Sequence, residues 1–121
     1  MKYFLAVDIG ASSGRHMLTH MEEDRMVLEE VHRFYNGMTE KNGHKIWDVD
    51  TLFEEIKIGM KKCASLGKIP ESMGIDTWAV DFVLLDKNGG RIGDAVAYRD
   101  ARTTGMDEGM PDCRREAYCK E

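Results

Sequence analysis

The sequence predicts an α/β fold in which a mixed β-sheet packs against a helix. Three observations support this prediction: an apolar run at residues 3–9, two strand-like segments that follow it at short intervals, and a helical pattern that precedes a second apolar run. Strands joined by such short connections must be antiparallel neighbours, whereas a strand reached through a helix can lie parallel to the first. The predicted order is β-β-β-α-β-β, which favours a layered α/β architecture.

The N-terminal part of the chain contains three predicted strands. Residues 3–9 are nearly all apolar, as expected of a central strand that is buried on both faces. A turn is predicted at residues 10–14, because glycines bracket small residues there. The next two strands are predicted at residues 15–21 and 26–35, with a charged connection at 22–25 between them. Together the three strands should form an antiparallel meander.

A helix is predicted after these strands, with Asp50 as its N-terminal cap. Its apolar residues recur at helical spacing, at Leu52, Phe53, Ile56, Met60 and Cys63. Gly67 fits the C-terminal end of the helix, and Pro70 follows at the distance expected beyond a helix end. The helix should therefore carry one apolar face toward the sheet.

Two more strands are predicted after the helix. Residues 73–78 should return to the sheet with the helix as a crossover, and residues 80–85 should end in a hairpin-like turn at 86–90. The rest of the chain is different, because no Leu, Ile, Val or Phe follows Val96, and 11 of the 23 residues from 99 to 121 are charged. We therefore expect a domain that is incomplete at its C-terminus rather than one that ends in a mobile tail.

The composition argues against several functional classes. The formal net charge is −5, whereas a protein that neutralises a nucleic-acid backbone should be basic. No apolar run approaches the roughly 20 residues that cross a bilayer, and the N-terminus is a poor fit to a signal peptide. The three cysteines, an odd number, predict reduced thiols in a cytoplasmic protein.

Two of the four histidines have a spacing found in metal sites. His16 and His20 are four residues apart, as in a metal-binding pair on a helix. Their segment is predicted as a strand, on which they merely share a face. We therefore interpret them as structural side chains.

The segment from Asp8 to Arg15 has the composition of an anion-binding turn. Asp8 ends a buried strand, where a carboxylate is costly without a cation or hydrogen-bond donors. Backbone N–H groups of the short turn can converge on an anion, and Arg15 offers a planar fork suited to phosphate oxygens. These features predict a site for a metal-bound nucleotide phosphate. A tight hairpin with a solvated Arg15 is the equally supported alternative.

The segment at residues 74–82 combines two carboxylates with a tryptophan. Asp76 and Asp81 would point to opposite faces of a regular strand, but a break near Trp78 and Ala79 would bring both toward one cleft. A tryptophan beside short polar side chains is a common way to hold a sugar. Taken alone, these residues fit a core tryptophan and two ordinary strand-end aspartates better.

A third polar segment spans residues 98–103. It places three charges, Arg99, Asp100 and Arg102, within four residues after a predicted strand. Such a cluster usually forms a solvated turn or a local ion pair. Contact with a phosphate or a sugar is the lesser alternative.

Together the three segments resemble the N-terminal part of rhamnulokinases, a group within the FGGY family of carbohydrate kinases. The matching motifs are Val7-Asp8-Ile9-Gly10-Ala11-Ser12-Ser13-Gly14-Arg15, His32-Arg33-Phe34, Asn36-Gly37, Trp47-Asp48-Val49-Asp50, Gly74-Ile75-Asp76-Thr77-Trp78, Val80-Asp81-Phe82-Val83-Leu84-Leu85-Asp86 and Ala97-Tyr98-Arg99-Asp100. The first motif alone would indicate only the wider superfamily of actin-like ATPases. The later motifs point to the rhamnulokinase group.

The resemblance implies an actin-like (ribonuclease H-like) fold and ATP-dependent phosphorylation of L-rhamnulose at its 1-hydroxyl. It implies these site residues: Ala11, Ser12, Ser13, Gly14 and Arg15 for the ATP phosphates, Asp8 for Mg²⁺, and Trp78, Ala79 and Asp81 for the sugar. Members of the family usually have glycine where this chain has Ala79. This chain therefore carries an extra methyl group at a position that, in members of the family, lies close to the sugar.

Kinases of this family have two domains, with the active site in the cleft between them. Their catalytic Asp and their adenosine pocket lie in later segments, which have no counterpart before Glu121. We therefore expect residues 1–121 to be the N-terminal part of the first domain, without the second domain, and to be inactive alone. Two alternatives stay open: another FGGY sugar or polyol kinase, and an actin-like nucleotide-binding module without kinase chemistry.

Overall fold

The computed structural model describes residues 1–109 of the chain. In chain order the elements are β1 (Tyr3–Ile9), β2 (Ser13–Glu22), β3 (Arg25–Tyr35), β4 (Thr39–Lys41), β5 (His44–Trp47), α1 (Val49–Ser65), β6 (Pro70–Thr77), β7 (Leu84–Leu85), β8 (Arg91–Ile92), β9 (Ala95–Val96), a 3-10 helix (Ala101–Thr103) and α2 (Met106–Gly109). The charged C-terminal segment that predicts an incomplete domain lies mostly outside the described residues, as do two of the three cysteines. Within the described part, no helix has both the length and the apolar character needed to cross a membrane.

The main sheet has four strands in the order β3-β2-β1-β6. β1 pairs antiparallel with β2 and β2 with β3, which confirms the predicted meander. β6 lies parallel to β1, so α1 is the predicted crossover between them. The sheet is mixed, and the α/β prediction is confirmed.

Helix α1 begins two residues earlier than predicted, because Asp48 and not Asp50 is its cap. The Asp48 carboxylate accepts hydrogen bonds from the backbone N–H of Thr51 at 3.0 Å and from its hydroxyl at 2.8 Å. These two bonds lower the pKa of Asp48. Asp50 instead lies in the first turn, where it pairs with Arg91 at 3.0 Å.

The buried face of α1 is narrower than the predicted apolar stripe. Cys63 is fully buried and burial raises the pKa of its thiol, whereas Phe53 and Met60 are 60% and 44% exposed. Gly59 takes the central place on the buried face, because a Cβ atom there would overlap the ring of His16. His16 is fully buried in β2, and its Nε2 lies 3.3 Å from the carbonyl oxygen of Ile56. Burial, with His32 nearby, lowers the pKa of His16.

Strand β1 is buried on one face only, so the prediction of burial on both faces is wrong. Leu5 and Val7 point toward α1 and are 2% and 1% exposed, whereas Phe4 on the other face is 41% exposed. The reason is that the buried side chains of β1 cluster with those of α1 on one side of the sheet, whereas Phe4 and Ala6 on the opposite side are exposed. We call this opposite side the open face.

The remaining strands differ most from the prediction. β4 and β5 form a hairpin closed by Asn42 and Gly43, both with positive φ, and β5 also pairs with β9. Of the predicted strand at residues 80–85 only β7 forms, because Val80 adopts a φ of 69° that interrupts an extended chain. The predicted turn at 86–90 is confirmed, since it joins β7 to β8.

Candidate active site

The end of β1 and the start of β2 bring Asp8 and Arg15 together on the open face. The two residues are opposite each other in the antiparallel register, and Arg15 Nε donates to Asp8 Oδ2 at 3.0 Å. Their side chains are 50% and 48% exposed. This bond uses one of the five N–H donors of the guanidinium group and one carboxylate oxygen, so both groups keep capacity for a ligand.

The turn between these two residues is shorter than predicted. It comprises residues 10–12, because Ser13 and Gly14 already belong to β2 and pair with β3. The backbone N–H of Gly10 donates to the carbonyl oxygen of Ser13 at 2.9 Å. The N–H groups of Ala11 and Ser12 donate to no backbone carbonyl among the described residues, which leaves them available to an anion.

Gly14, which follows this turn in β2, has a packing role. A Cβ atom at this position would overlap the ring of Phe34, which is buried and lies opposite Gly14 in the register of β2 and β3. A larger residue would displace either the ring or the turn. The glycine therefore fixes how closely the start of β2 approaches β3.

The chemistry of these side chains fits a magnesium-bound phosphate. Mg²⁺ is usually held by one or two carboxylates together with substrate phosphates, and arginine suits phosphate oxygens. Among the described residues no three His, Cys, Asp or Glu side chains are arranged as a metal centre. A cation beside Asp8 would therefore take most of its ligands from phosphate and water. His16 and His20 belong to β2 as expected.

A second polar cluster consists of Trp47, Trp78 and Asp81. The two indole rings stack with centroids 4.0 Å apart and an angle of 20° between their planes. Trp47 is 2% exposed, and its Nε1 donates to Asp81 Oδ2 at 2.6 Å. The family resemblance implies that Trp78 and Asp81 lie in the sugar site, but it implies no role for Trp47. Trp47 fixes the positions of both.

The chain breaks between Asp76 and Asp81, as predicted. β6 ends at Thr77, and Val80 lies in the left-handed region, which is unusual for a β-branched residue. The break does not bring the two carboxylates into one cleft, however. Asp76 lies beside Asp8 in the sheet register and lines a cavity of about 490 Å³ on the open face, whereas Asp81 lines separate cavities.

The third polar segment is an exposed turn, as its composition predicts, except at Asp100. Asp100 is 8% exposed and caps the 3-10 helix by accepting from the N–H of Arg102 at 3.2 Å. It also accepts from the N–H of Lys45 at 2.7 Å and from Nδ1 of His44 at 3.0 Å. The carboxylate therefore ties the segment to β5. A cavity of about 270 Å³ lies between this segment and Asp81.

Residues 3–118 match the family model for the N-terminal domain of the FGGY family of carbohydrate kinases. The chain belongs to this family. Curated FGGY relatives include three proteins named rhamnulokinase, from Halalkalibacterium halodurans (58% identical over 108 residues), Oceanobacillus iheyensis (54% over 104) and Bacillus subtilis (47% over 100). The matches cover 89%, 86% and 83% of this chain but 23%, 22% and 21% of the relatives. The chain thus spans less than a quarter of their length.

Solved structures of sugar kinases share the fold of this FGGY domain. A gluconate kinase from Lactobacillus acidophilus matches 94% of the chain with a TM-score of 0.71 at 14% sequence identity. A xylulose kinase from Rhodospirillum rubrum matches 95% with a TM-score of 0.71 at 16%, and the chain covers 23% of each. At such identities the likeness concerns the fold alone. It confirms the actin-like fold.

The lowered pKa of Asp100 leads us to expect that this FGGY domain loses stability in acid. The hydrogen bonds of Asp100 with Lys45 N–H and then with His44 lower this pKa to about 2. Because the folded-state pKa is below that of the unfolded chain, the stabilisation is complete above roughly pH 4 and is lost as the pH falls toward 2. Urea unfolding at a series of pH values should show the midpoint falling in this window. Asp100→Asn should flatten that fall, whereas Asp24→Asn, in the exposed β2–β3 turn, should keep the parent profile.

Proposed function

We propose that the complete protein containing this chain phosphorylates L-rhamnulose at its 1-hydroxyl with MgATP. The observation that carries the proposal is the 47–58% identity of this chain to five relatives that are all named rhamnulokinase. Membership in the FGGY family gives the reaction class, a carbohydrate kinase. The choice of sugar rests on these relatives and on the motif around Trp78.

In this proposal the turn and its flanking strands hold the phosphates. Residues 11–15 bind the ATP phosphates through backbone N–H groups and the Arg15 guanidinium, and Asp8 places the Mg²⁺ ion. MgATP supplies the phosphoryl group and a cation that neutralises its developing charge. The open face supports this arrangement, because Arg15 and Asp8 are bonded to each other there and remain half exposed.

The sugar is held by the second cluster in this proposal. The Trp78 ring, stacked on Trp47, offers a flat surface for the C–H face of the sugar, and Asp81 offers an acceptor for a hydroxyl group. Ala79 is exposed next to Trp78, which supports contact with a ligand rather than a place in the core.

The proposal is tested by substrate preference. The protein expressed from the complete reading frame should release ADP from MgATP in the presence of L-rhamnulose. Its kcat/KM for this sugar should be at least about 100-fold above the values for D-xylulose, D-gluconate or glycerol. A preference for one of these others would assign the protein to another branch of the family, and no sugar-dependent release at all would favour a non-catalytic nucleotide-binding module. The 121-residue chain is the reference. We expect no release from it, because the family's catalytic Asp has no counterpart here.

Ala79 offers a test of the sugar site. Ala79→Gly in the complete protein should lower the KM for rhamnulose by up to about tenfold and leave the KM for ATP unchanged, since a single methyl group in a close-fitting pocket is worth roughly 1–3 kcal/mol. The melting temperature should change little, because the side chain is exposed. An Ala79→Gly variant with unaltered KM for both substrates would remove Ala79 from the sugar site.

A further inference from the structure

The residue that follows β3, Asn36, is hydrogen-bonded at two points to the turn at residues 10–12. Asn36 is 6% exposed, and its backbone N–H donates to the carbonyl oxygen of Ser12 at 2.9 Å. Its side-chain Nδ2 donates to the carbonyl oxygen of Gly10 at 2.7 Å. Asn36 therefore holds the carbonyls on both sides of Ala11, although the two segments are 26 residues apart in the chain.

The side-chain bond takes the place of a hairpin bond. A two-residue hairpin is normally closed by a pair of bonds between the residues on either side of the turn. Here Gly10 donates to Ser13, but the return bond from the N–H of Ser13 to the carbonyl of Gly10 is not formed. That carbonyl accepts from Asn36 instead.

These contacts determine the direction of a backbone donor. In a trans peptide the C=O of one residue and the N–H of the next point to opposite sides. Because Asn36 binds the carbonyl of Gly10, the N–H of Ala11 points away from Asn36. This is one of the two N–H groups in the turn that donate to no carbonyl within residues 1–109.

We infer that Asn36 is a positioning residue for phosphate binding: its side-chain amide holds the peptide between Gly10 and Ala11 in the orientation that presents the Ala11 N–H to the nucleotide. The inference rests on the proposed function, because it assumes that residues 11–15 receive the phosphates. Asn36 itself does not contact the nucleotide.

The test measures nucleotide binding without sugar. In the complete protein, Asn36→Ala and Asn36→Asp both remove the Nδ2 donor, and Asp keeps the shape of the side chain. Both variants should raise the Kd for MgADP, measured by isothermal titration calorimetry, by about tenfold, the effect expected from one lost hydrogen bond. The KM for rhamnulose should stay within about twofold, because the sugar site is held by other residues.

A matched variant separates positioning from general stability. Cys63→Ala removes a buried group on the inner face of α1, so it should lower the melting temperature without changing the Kd for MgADP. The inference is overturned if the Asn36 variants lower the melting temperature but leave the Kd within about twofold of the parent. Failure of both variants to fold would overturn it as well, because Asn36 would then support the whole domain.

Arg15→Ala in the same titration distinguishes the inference from its premise. If Arg15→Ala weakens MgADP binding and the Asn36 variants do not, only the role of Asn36 is wrong. If Arg15→Ala also leaves the Kd unchanged, the assignment of the turn to phosphate is wrong.

Discussion

Replacing Asp8 or Arg15 by alanine should lower kcat/KM for ATP in the complete protein by roughly 10²–10³-fold, the usual effect of removing one charged contact from a phosphoryl-transfer site. The two residues act differently, since Asp8 would place the cation and Arg15 would bind phosphate oxygens. Their mutual ion pair is half exposed, and such pairs contribute only about 0–1 kcal/mol to stability. The melting temperature should therefore hardly change, and steady-state kinetics with varied ATP will report on catalysis alone.

Arg33→Ala is the matched control for this experiment. Arg33 pairs with Arg15 in the sheet register, has a 51% exposed side chain and lies on the same face, but its partner is Glu30 on its own strand. The Arg33→Ala variant should keep its kcat/KM for ATP within about threefold of the parent value. Arg15→Lys retains the charge without the fork and should recover only part of the activity. If Asp8→Ala and Arg15→Ala behave like Arg33→Ala, the phosphate assignment is wrong.

Replacing Trp47 by phenylalanine should raise the KM for rhamnulose about tenfold or more. The substitution keeps an aromatic ring against Trp78 but removes the Nε1 donor that fixes Asp81 at 2.6 Å. A hydrogen bond to a charged group is worth roughly 1.5–3 kcal/mol, so stability should fall as well. Kinetics with varied sugar and a thermal melt of the same variant measure both effects.

Asp81→Asn separates the two effects. An asparagine oxygen can still accept from Trp47, so the melting temperature should stay close to the parent value, while the loss of charge should still weaken sugar binding. The KM for ATP should be unchanged in both variants. A Trp47→Phe protein that melts earlier but binds sugar and ATP normally would show that the tryptophan pair belongs to the core alone.

The part of the fold that follows from hydrophobic periodicity was predictable. β1 lies at the predicted residues, and the meander and the crossover follow from connection lengths. The β4–β5 hairpin was missed because its strands are short and polar, although Asn42-Gly43 is a recognised hairpin signal. The strand predicted at residues 80–85 failed because nothing in its apolar sequence indicates the left-handed conformation of Val80.

The candidate site was predictable only within single segments. Asp8 and Arg15 are separated by one turn, so their proximity follows from local structure. Asn36 and Trp47 act on residues 26 and 34 positions away, and such contacts depend on the tertiary arrangement of strands. Asp100 was misjudged for the same reason, because its partners His44 and Lys45 belong to the hairpin that the periodicity did not reveal.

The close contact of Gly59 with the His16 ring fixes where α1 lies along the sheet, and so where the chain re-enters the sheet as β6. Since the glycine is the place on α1 where the ring fits, sliding the helix along the sheet would drive a bulkier side chain into it. From that point the last six residues of α1 and four connecting residues lead to β6. The position of α1 on the sheet therefore determines the register at which β6 pairs with β1, and this register sets Asp76 next to Asp8. The absence of a side chain at Gly59 fixes that position.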